Sequence, residues 1–536
     1  MALRALFLLF VISGVQAQVT SERLLHAARE PRNWLTYSGG YDSHRHSLLD
    51  QITPANVKNL EQKWVFQAQS LQVFEATPLV VDGIMYLTQA PNDVVALDAR
   101  TGAIFWVYRY APASDARLCC GAVNRGLAML GDTLFMGTID AHLIAIDAKS
   151  GRPVWNIRLA DHASGYSLTH APLIVKDKVV VGTAGGEYGI RGFIGAYDAR
   201  TGKEAWRFYT IPGPGEPGHN SWQGDAWEHG GGSAWITGSY DPGANLIYWG
   251  TGNPGPDWNP DQRPGDNLYT DCAVALDADT GRLKWYFQFT PHDASDWDAV
   301  QIPVLIDEKW NGSERKLVLW ANRNGFFYVL DRATGKFVSG HPFVKQNWAT
   351  GLDDSGRPMR TAVGADSPVF PGVQGGTNWY SPSYSPRTGL FYISAWDDYS
   401  SIFVKEPMEY KQGQRFMGGR ARSVVPALRR GQVNTWTEEA GHGAVVAMDP
   451  RTGAKKWEFK MHDVTDSGIL TTASDLLFAG GREGHFFALD ARDGSLLWRA
   501  TLGGQIAAGP ITYEVDGKQY IAIAAGHSLF SFALRE

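Results

Sequence analysis

The sequence predicts an all-β fold, an eight-bladed β-propeller whose blades dock on one another through tryptophan. Three observations carry that expectation. A short template recurs along the 536-residue chain, each copy reads as two strands joined by a tight turn, and no long amphipathic helical pattern competes with it. Length alone would suggest several domains, but the repeat overrides that expectation.

The template is legible in ALDARTGAIFW (96–106), AIDAKSGRPVW (145–155), AYDARTGKEAW (196–206), ALDADTGRLKW (275–285), AMDPRTGAKKW (447–457) and ALDARDGSLLW (488–498). VLDRATGKFV (329–338) is a copy that lacks the Trp. Each begins with an apolar strand ending at Asp, turns through Thr-Gly or a close substitute, and continues in a strand that carries Trp. Asp and Thr bond locally while Gly accepts positive φ, which makes the unit a tight hairpin. Copies recur roughly every 40 to 50 residues, with longer gaps before Asp277 and between Asp331 and Asp449, and this spacing suits four-stranded blades that bury their faces against neighbours. Seven copies plus an unmarked blade around GLFYISAWD (389–397) make eight. A strand ending in Gln62-Lys63-Trp64 is expected to close the ring with the C-terminal blade, which removes the open edges. Most Asp, Gly and Trp residues are thereby read as hairpin and blade-packing residues, and chemistry is sought where the chain departs from the template.

Residues 1–17, MALRALFLLFVISGVQA, combine one basic residue, an apolar run and a small-residue end, and read as a secretory signal cleaved after Ala17. Residues 18–536 are expected to form a single propeller domain, exported and without a membrane span, since no apolar run is long enough. Net charge is −6 with both signs spread along the chain, so nothing points to nucleic acid as a partner. Two of the three cysteines are adjacent, Cys119 and Cys120 in CCGAVNRG, and the third is Cys272. An adjacent pair can be a reduced packed turn or a very small disulfide ring, which would pull the joining peptide from relaxed trans geometry. An oxidising compartment lets the disulfide persist.

Four segments depart from the blade template: GTAGGEYGIRG with Glu187; GGGSAW and YWGTGNPGPDWNPDQRPGDN with Trp235 and Asn253; TPHDASDWDAV with Asp296 and Asp298; and LWANRNGFF with Arg323. Together with CCGAVNRG, GGTNWYSPSYSPRTGL and VDGKQYIAIAAG, they resemble the quinoprotein alcohol dehydrogenases over essentially the whole chain beyond residue 17. That family is eight-bladed and uses pyrroloquinoline quinone (PQQ) with a metal ion.

Glu187, Asn253 and Asp296 are oxygen donors that suit a hard cation. The resemblance implies that Glu187 and Asn253 bind the ion, with Asp296 beside it as general base. Asp298 stands two residues on, so an extended segment would turn both carboxylates to the same side. An Asp at this place resembles the lanthanide-using branch, with calcium the alternative ion. A third carboxylate favours a trivalent cation by charge balance. Relatives usually carry Trp before the catalytic Asp, where this chain has Ser295, with Trp297 between the two carboxylates. Counting from Pro291-His292-Asp293 makes Asp296 the base; aligning on Trp-Asp would make it Asp298.

For the cofactor, the resemblance implies Trp235 as a stacking floor and a Cys119–Cys120 disulfide as the opposite face. Arg125 and Arg323 suit carboxylate or quinone oxygens through their forked donors. Glu75 in FEATP, Thr169 in LTHAP, Ala184, Gly185, Ser233, Asn378 and Trp379 complete the implied set, and Gly186 stands where relatives usually have Ala.

No CxxCH attaches a c-type haem and no Rossmann fingerprint offers a nicotinamide site. The reading is therefore a periplasmic dehydrogenase that converts a small-molecule alcohol to an aldehyde and passes electrons to a separate cytochrome c. A non-enzymatic propeller scaffold, and a PQQ enzyme for a sugar or polyol, are the competing readings. Which alcohol is used is not written in the motifs. The stretch 406–435, rich in Arg and Gly, fits no blade and is expected to cap the site or meet the acceptor. Propeller sides can pair without any linear signature, so a homodimer is compatible with the sequence.

Overall fold

A computed structural model describes residues 19–310, 312–423 and 440–535. The signal reading for residues 1–17 and part of the 406–435 stretch lie outside the described residues. Seven four-stranded antiparallel sheets and an eighth, to which the short strand His46–Ser47 adds in parallel as a fifth strand, form a closed ring. The first blade comprises Leu79–Val81, Ile84–Gln89, Asp93–Asp98 and Ile104–Tyr108. The strands Leu60–Gln67 and Ser528–Leu534 pair in the eighth, so the two ends of the described chain complete one sheet, as expected.

One sequence expectation is corrected here. GLFYISAWD is not a separate blade: Leu390–Asp397 pairs directly with His442–Met448, the strand of the Asp449 template copy. The template-free blade is the eighth, Ile511–Val515, Lys518–Ala525, Ser528–Leu534 and Leu60–Gln67. It escapes the template because its outer strand comes from the other end of the chain.

The template's conserved-looking spacing has a physical cause between blades. The indole N–H of Trp106 donates to the Ala148 carbonyl of the next blade at 3.1 Å, and Trp64, Trp155, Trp206, Trp285 and Trp457 repeat the bond at 3.1–3.2 Å. Each ring lies flat over the next blade's template glycine, where a Cβ at Gly151 would stand 2.6 Å from Trp106. In the copy without Trp, the His341 ring covers Gly453 instead.

Antiparallel strands alternate direction, so the template hairpins and the turns joining first to second strands share one face. The 34–47 segment crosses that face, exchanging backbone bonds with Val80, Tyr240, Leu305, Tyr384 and Thr471. The blade-to-blade connections and the loops between second and third strands are left on the opposite face, and every departure from the template falls there.

Candidate active site

The loops of that second face enclose a cleft of ≈ 840 Å³ of empty space, open to solvent. Cys119, Cys120, Arg125, Thr169, Ala184, Gly185, Glu187, Ser233, Trp235, Asp296, Asp298, Arg323, Asn378 and Trp379 all line it. Of the residues singled out from sequence, Glu75 and Asn253 stand just behind the lining. Glu75 pairs with Arg125 at 2.8 Å, and the Asn253 backbone N–H donates to Asp298 at 2.9 Å.

One wall is the Cys119–Cys120 disulfide, formed between adjacent residues, while Cys272 is free and buried. Their Cα atoms are 3.8 Å apart, the spacing of a trans and not a cis peptide. Tyr188 O–H donates to the Leu118 carbonyl at 2.9 Å and Arg415 to the Cys119 carbonyl at 3.0 Å. These bonds tie the disulfide loop to the Glu187 turn and to the arm around residue 415. The Phe416 N–H also donates to the Glu187 carbonyl at 2.7 Å, and Tyr410 stacks on His229 with ring centroids 3.4 Å apart. The described part of the 406–435 stretch therefore packs against the site.

The facing wall is aromatic and cationic. The Arg125 guanidinium lies 5.0 Å from the Trp235 ring and 4.5 Å from that of Trp379, a cation–π arrangement that holds the three together. Trp235 Nε1 donates to Asp298 Oδ2 at 3.2 Å.

Glu187 sits in the short 3₁₀ turn Gly186–Tyr188, between Gly185 at φ +118° and Gly189 at +63°. A Cβ at Gly185 would stand 2.0 Å from the Gly165 carbonyl oxygen, so only glycine fits. Burial, reinforced by the charge of Asp298, pushes the Glu187 carboxyl up to about 7. Cys120 Sγ is 3.7 Å from its Oε1.

Asp296 and Asp298 both reach the cleft, but not through strand alternation. Asp296 has φ +57°, so the chain turns left-handed there, and the intervening Trp297 is buried against Trp348 with its indole N–H on the Gly372 carbonyl at 3.0 Å. The two carboxylates are differently engaged. Asp298 accepts from Asn253 N–H on one oxygen and from Trp235 and Arg323 on the other, the last at 2.5 Å. Among the described residues Asp296 pairs with Arg323 alone, at 3.7 Å, and its side chain is 23% exposed against 7% for Asp298. Burial raises both above the ordinary aspartate range, opposed in each case by Arg323.

The donor set fits a hard cation: Glu187, Asp296 and Asp298 line one cleft where burial disfavours uncompensated negative charge. The aromatic floor, the disulfide and two guanidinium groups likewise fit a flat polyanion such as PQQ. Arg117 and Gln374 also line the cleft, and the sequence reading missed both. It missed Asp257 too, fully buried close to this set; the residue lies inside the GNPGPDWN motif, but no spacing announces its burial.

The sequence profile described as glucose/ethanol/alcohol dehydrogenase, beta-propeller domain, matches residues 34–347, more than half of the chain. A profile described as outer membrane protein assembly factor BamB matches residues 441–534. Quinoprotein alcohol dehydrogenase PedH of Pseudomonas putida is 38% identical, over 97% of this chain and 90% of that protein. The solved structure of quinohemoprotein alcohol dehydrogenase ADHIIG from Pseudomonas putida superposes with a TM-score of 0.89 at 36% identity, covering 97% of this chain and 83% of the other. A europium-containing methanol dehydrogenase superposes with a TM-score of 0.88 at 34% identity, covering 96% of this chain and 100% of the other. With propeller, cleft and relatives in agreement, the chain belongs to the family of PQQ-dependent quinoprotein alcohol dehydrogenases.

Proposed function

We propose that this dehydrogenase works in the periplasm, oxidising an alcohol to its aldehyde with Asp296 as general base and with one lanthanide ion held by Glu187, Asn253, Asp296 and Asp298. When bound, PQQ would supply a two-electron acceptor for the substrate hydride, and the cation would act as a Lewis acid that makes it more electrophilic. Trp235 and the Cys119–Cys120 disulfide, both lining the cleft, would hold its flat ring system between them. Arg125 and Arg323 would address its oxygens, within a rim made by Thr169, Ala184, Gly185, Ser233, Asn378 and Trp379. Glu75 holds the Arg125 guanidinium in place.

The observation that carries this reading is the unequal engagement of the two aspartates in one cleft. Asp298 has both oxygens committed to fixed donors, which suits a residue that positions Arg323 and adds charge to the ion site. Asp296 keeps its carboxylate open to the cleft, where a substrate hydroxyl can reach it, and Arg323 nearby favours the ionised form a base requires. The third carboxylate supports a trivalent over a divalent ion. Electrons then pass to a separate acceptor, proposed to be a cytochrome c.

Asp296→Asn tests the assignment. It preserves volume and a ligand oxygen but cannot take the proton, so turnover should fall by roughly 100-fold or more while the PQQ absorbance of the purified protein remains. Near-wild-type turnover in that variant, with Asp298→Asn inactive yet metal-loaded, would move the base to Asp298.

A further inference from the structure

Asp257 lies in the loop between the second and third strands of the fourth blade, four residues beyond Asn253. It is 0% exposed, and among the described residues neither carboxylate oxygen has a donor in full hydrogen-bond geometry. Buried carboxylates are ordinarily paired or coordinated, so a group left in this state calls for something to complete it.

The neighbours do not supply it. Arg263 is fully buried nearby, yet its donors go to the backbone carbonyls of Pro256, Asp257 and Asp293 and to Asn267 Oδ1. The guanidinium fixes the backbone of Asp257 without reaching its carboxylate. Glu187 and Asp298 act on Asp257 as like charges, while the Asn253 side chain and Arg263 favour its ionised form. The Asn253 Nδ2 donates to the Pro254 carbonyl at 3.4 Å, a long bond, and the same side chain acts on the Asp257 carboxylate as a hydrogen-bond donor. An amide whose oxygen faces a cation must turn its NH₂ away and needs an acceptor there.

We propose that Asp257 is a positioning residue of the cation site: its carboxylate receives the Asn253 Nδ2–H, aims Asn253 Oδ1 at the ion, and adds a negative charge that favours a trivalent cation. The proposal rests on the cation site assigned above. Asp271 and Asp293 are buried nearby, within the field of Arg263 and Arg360. Burial lifts all four carboxylates of the site, Glu187, Asp257, Asp296 and Asp298, against the opposing charge of Arg323 at Glu187, Asp296 and Asp298, of Arg415 at Glu187 and of Arg263 at Asp257.

The experiment is a calorimetric titration of metal-free protein, supplied with PQQ, with La³⁺ and separately with Ca²⁺, for the wild type, Asp257→Asn and Asp257→Ala. Loss of an outer-shell partner should weaken La³⁺ binding by roughly 10- to 100-fold, and Ca²⁺ binding by less. The melting temperature of the metal-free variants should stay level or rise, since an uncompensated buried charge is gone. In an Asn253→Ala background the same substitutions should weaken La³⁺ binding far less, because no amide remains to be oriented. La³⁺ affinity within twofold of wild type in both variants overturns the proposal, as does an equal loss for both ions together with a lower metal-free melting temperature, the mark of a purely structural role. A wild-type protein that binds neither ion overturns the cation site itself, and Asp257's role with it.

Discussion

On the hairpin face of the propeller, Asp198 accepts from the Thr201 N–H at 2.8 Å and from the Thr201 hydroxyl at 2.6 Å. On the loop face, among the described residues, Asp257 and Asp271 have no donor in full hydrogen-bond geometry, and Asp296 meets the Arg323 guanidinium at 3.7 Å. The same side chain is driven in opposite directions by these surroundings. Side-chain hydrogen bonds from Ser150, Thr201 and Thr280 hold Asp147, Asp198 and Asp277 below the ordinary range, whereas burial lifts Asp257, Asp271, Asp296 and Asp298 above it. One face uses aspartate to close turns and is complete by itself. The other gathers carboxylates that want a cation, and it is there that chemistry has its place.

Perturbing the loop face should have the largest effect. Gly185→Ala puts a Cβ where the Gly165 carbonyl already stands, at a φ that disfavours alanine, so the variant should lose about 3 kcal/mol of stability and retain less metal. Denaturant melts and metal analysis check this; an unchanged midpoint would mean the Glu187 turn is less constrained than its geometry indicates.

Acidity separates the faces next. Native Glu187 holds its proton up to about pH 7, whereas an unfolded glutamate releases it near ~4.3, so between those values the native state binds more protons. A raised acid contributes stability below its unfolded value and loses it as pH rises through the folded one. Metal-free protein should therefore melt higher at pH 5 than at pH 7.5, and a bound cation should flatten or reverse that slope. The hairpin aspartates, with depressed values, work the other way: their contribution is present above ~3.9 and is lost only on further acidification. Metal-free protein that gains stability steadily from pH 5 to 7.5 would contradict the contrast.

The smallest effect is expected on the hairpin face. Asp198→Ala removes two turn bonds from a part-exposed site and should cost about 1 kcal/mol or less, with kcat and KM unchanged. A kinetic defect in that variant would mean that the two faces are coupled.

What could be read in advance divides along the same line. The template reports on local physics, an Asp-Thr-Gly hairpin and a Trp that needs a glycine beneath it, so the blades were legible from the chain. The eighth blade was misplaced because its outer strand, Leu60–Gln67, pairs across the whole sequence with Ser528–Leu534, and no local pattern records that. At the site, glycine-flanked Glu187 and the adjacent cysteines were visible as departures from the template. The route by which Asp296 and Asp298 meet was not, because it depends on a left-handed residue and on Trp297 burying itself in the core. Asp257 stayed hidden for a related reason: its significance is the lack of a partner, and only the packed loops reveal that.

The claim that the loop face is built around the charge of a trivalent ion is tested most directly by activity after reconstitution. Metal-free protein loaded with PQQ and either La³⁺ or Ca²⁺ should turn over an alcohol faster with the lanthanide, and Asp298→Ala should reverse that order without abolishing activity. Equal rates with the two ions in the unmodified protein, or failure to take up lanthanide at all, would contradict the account.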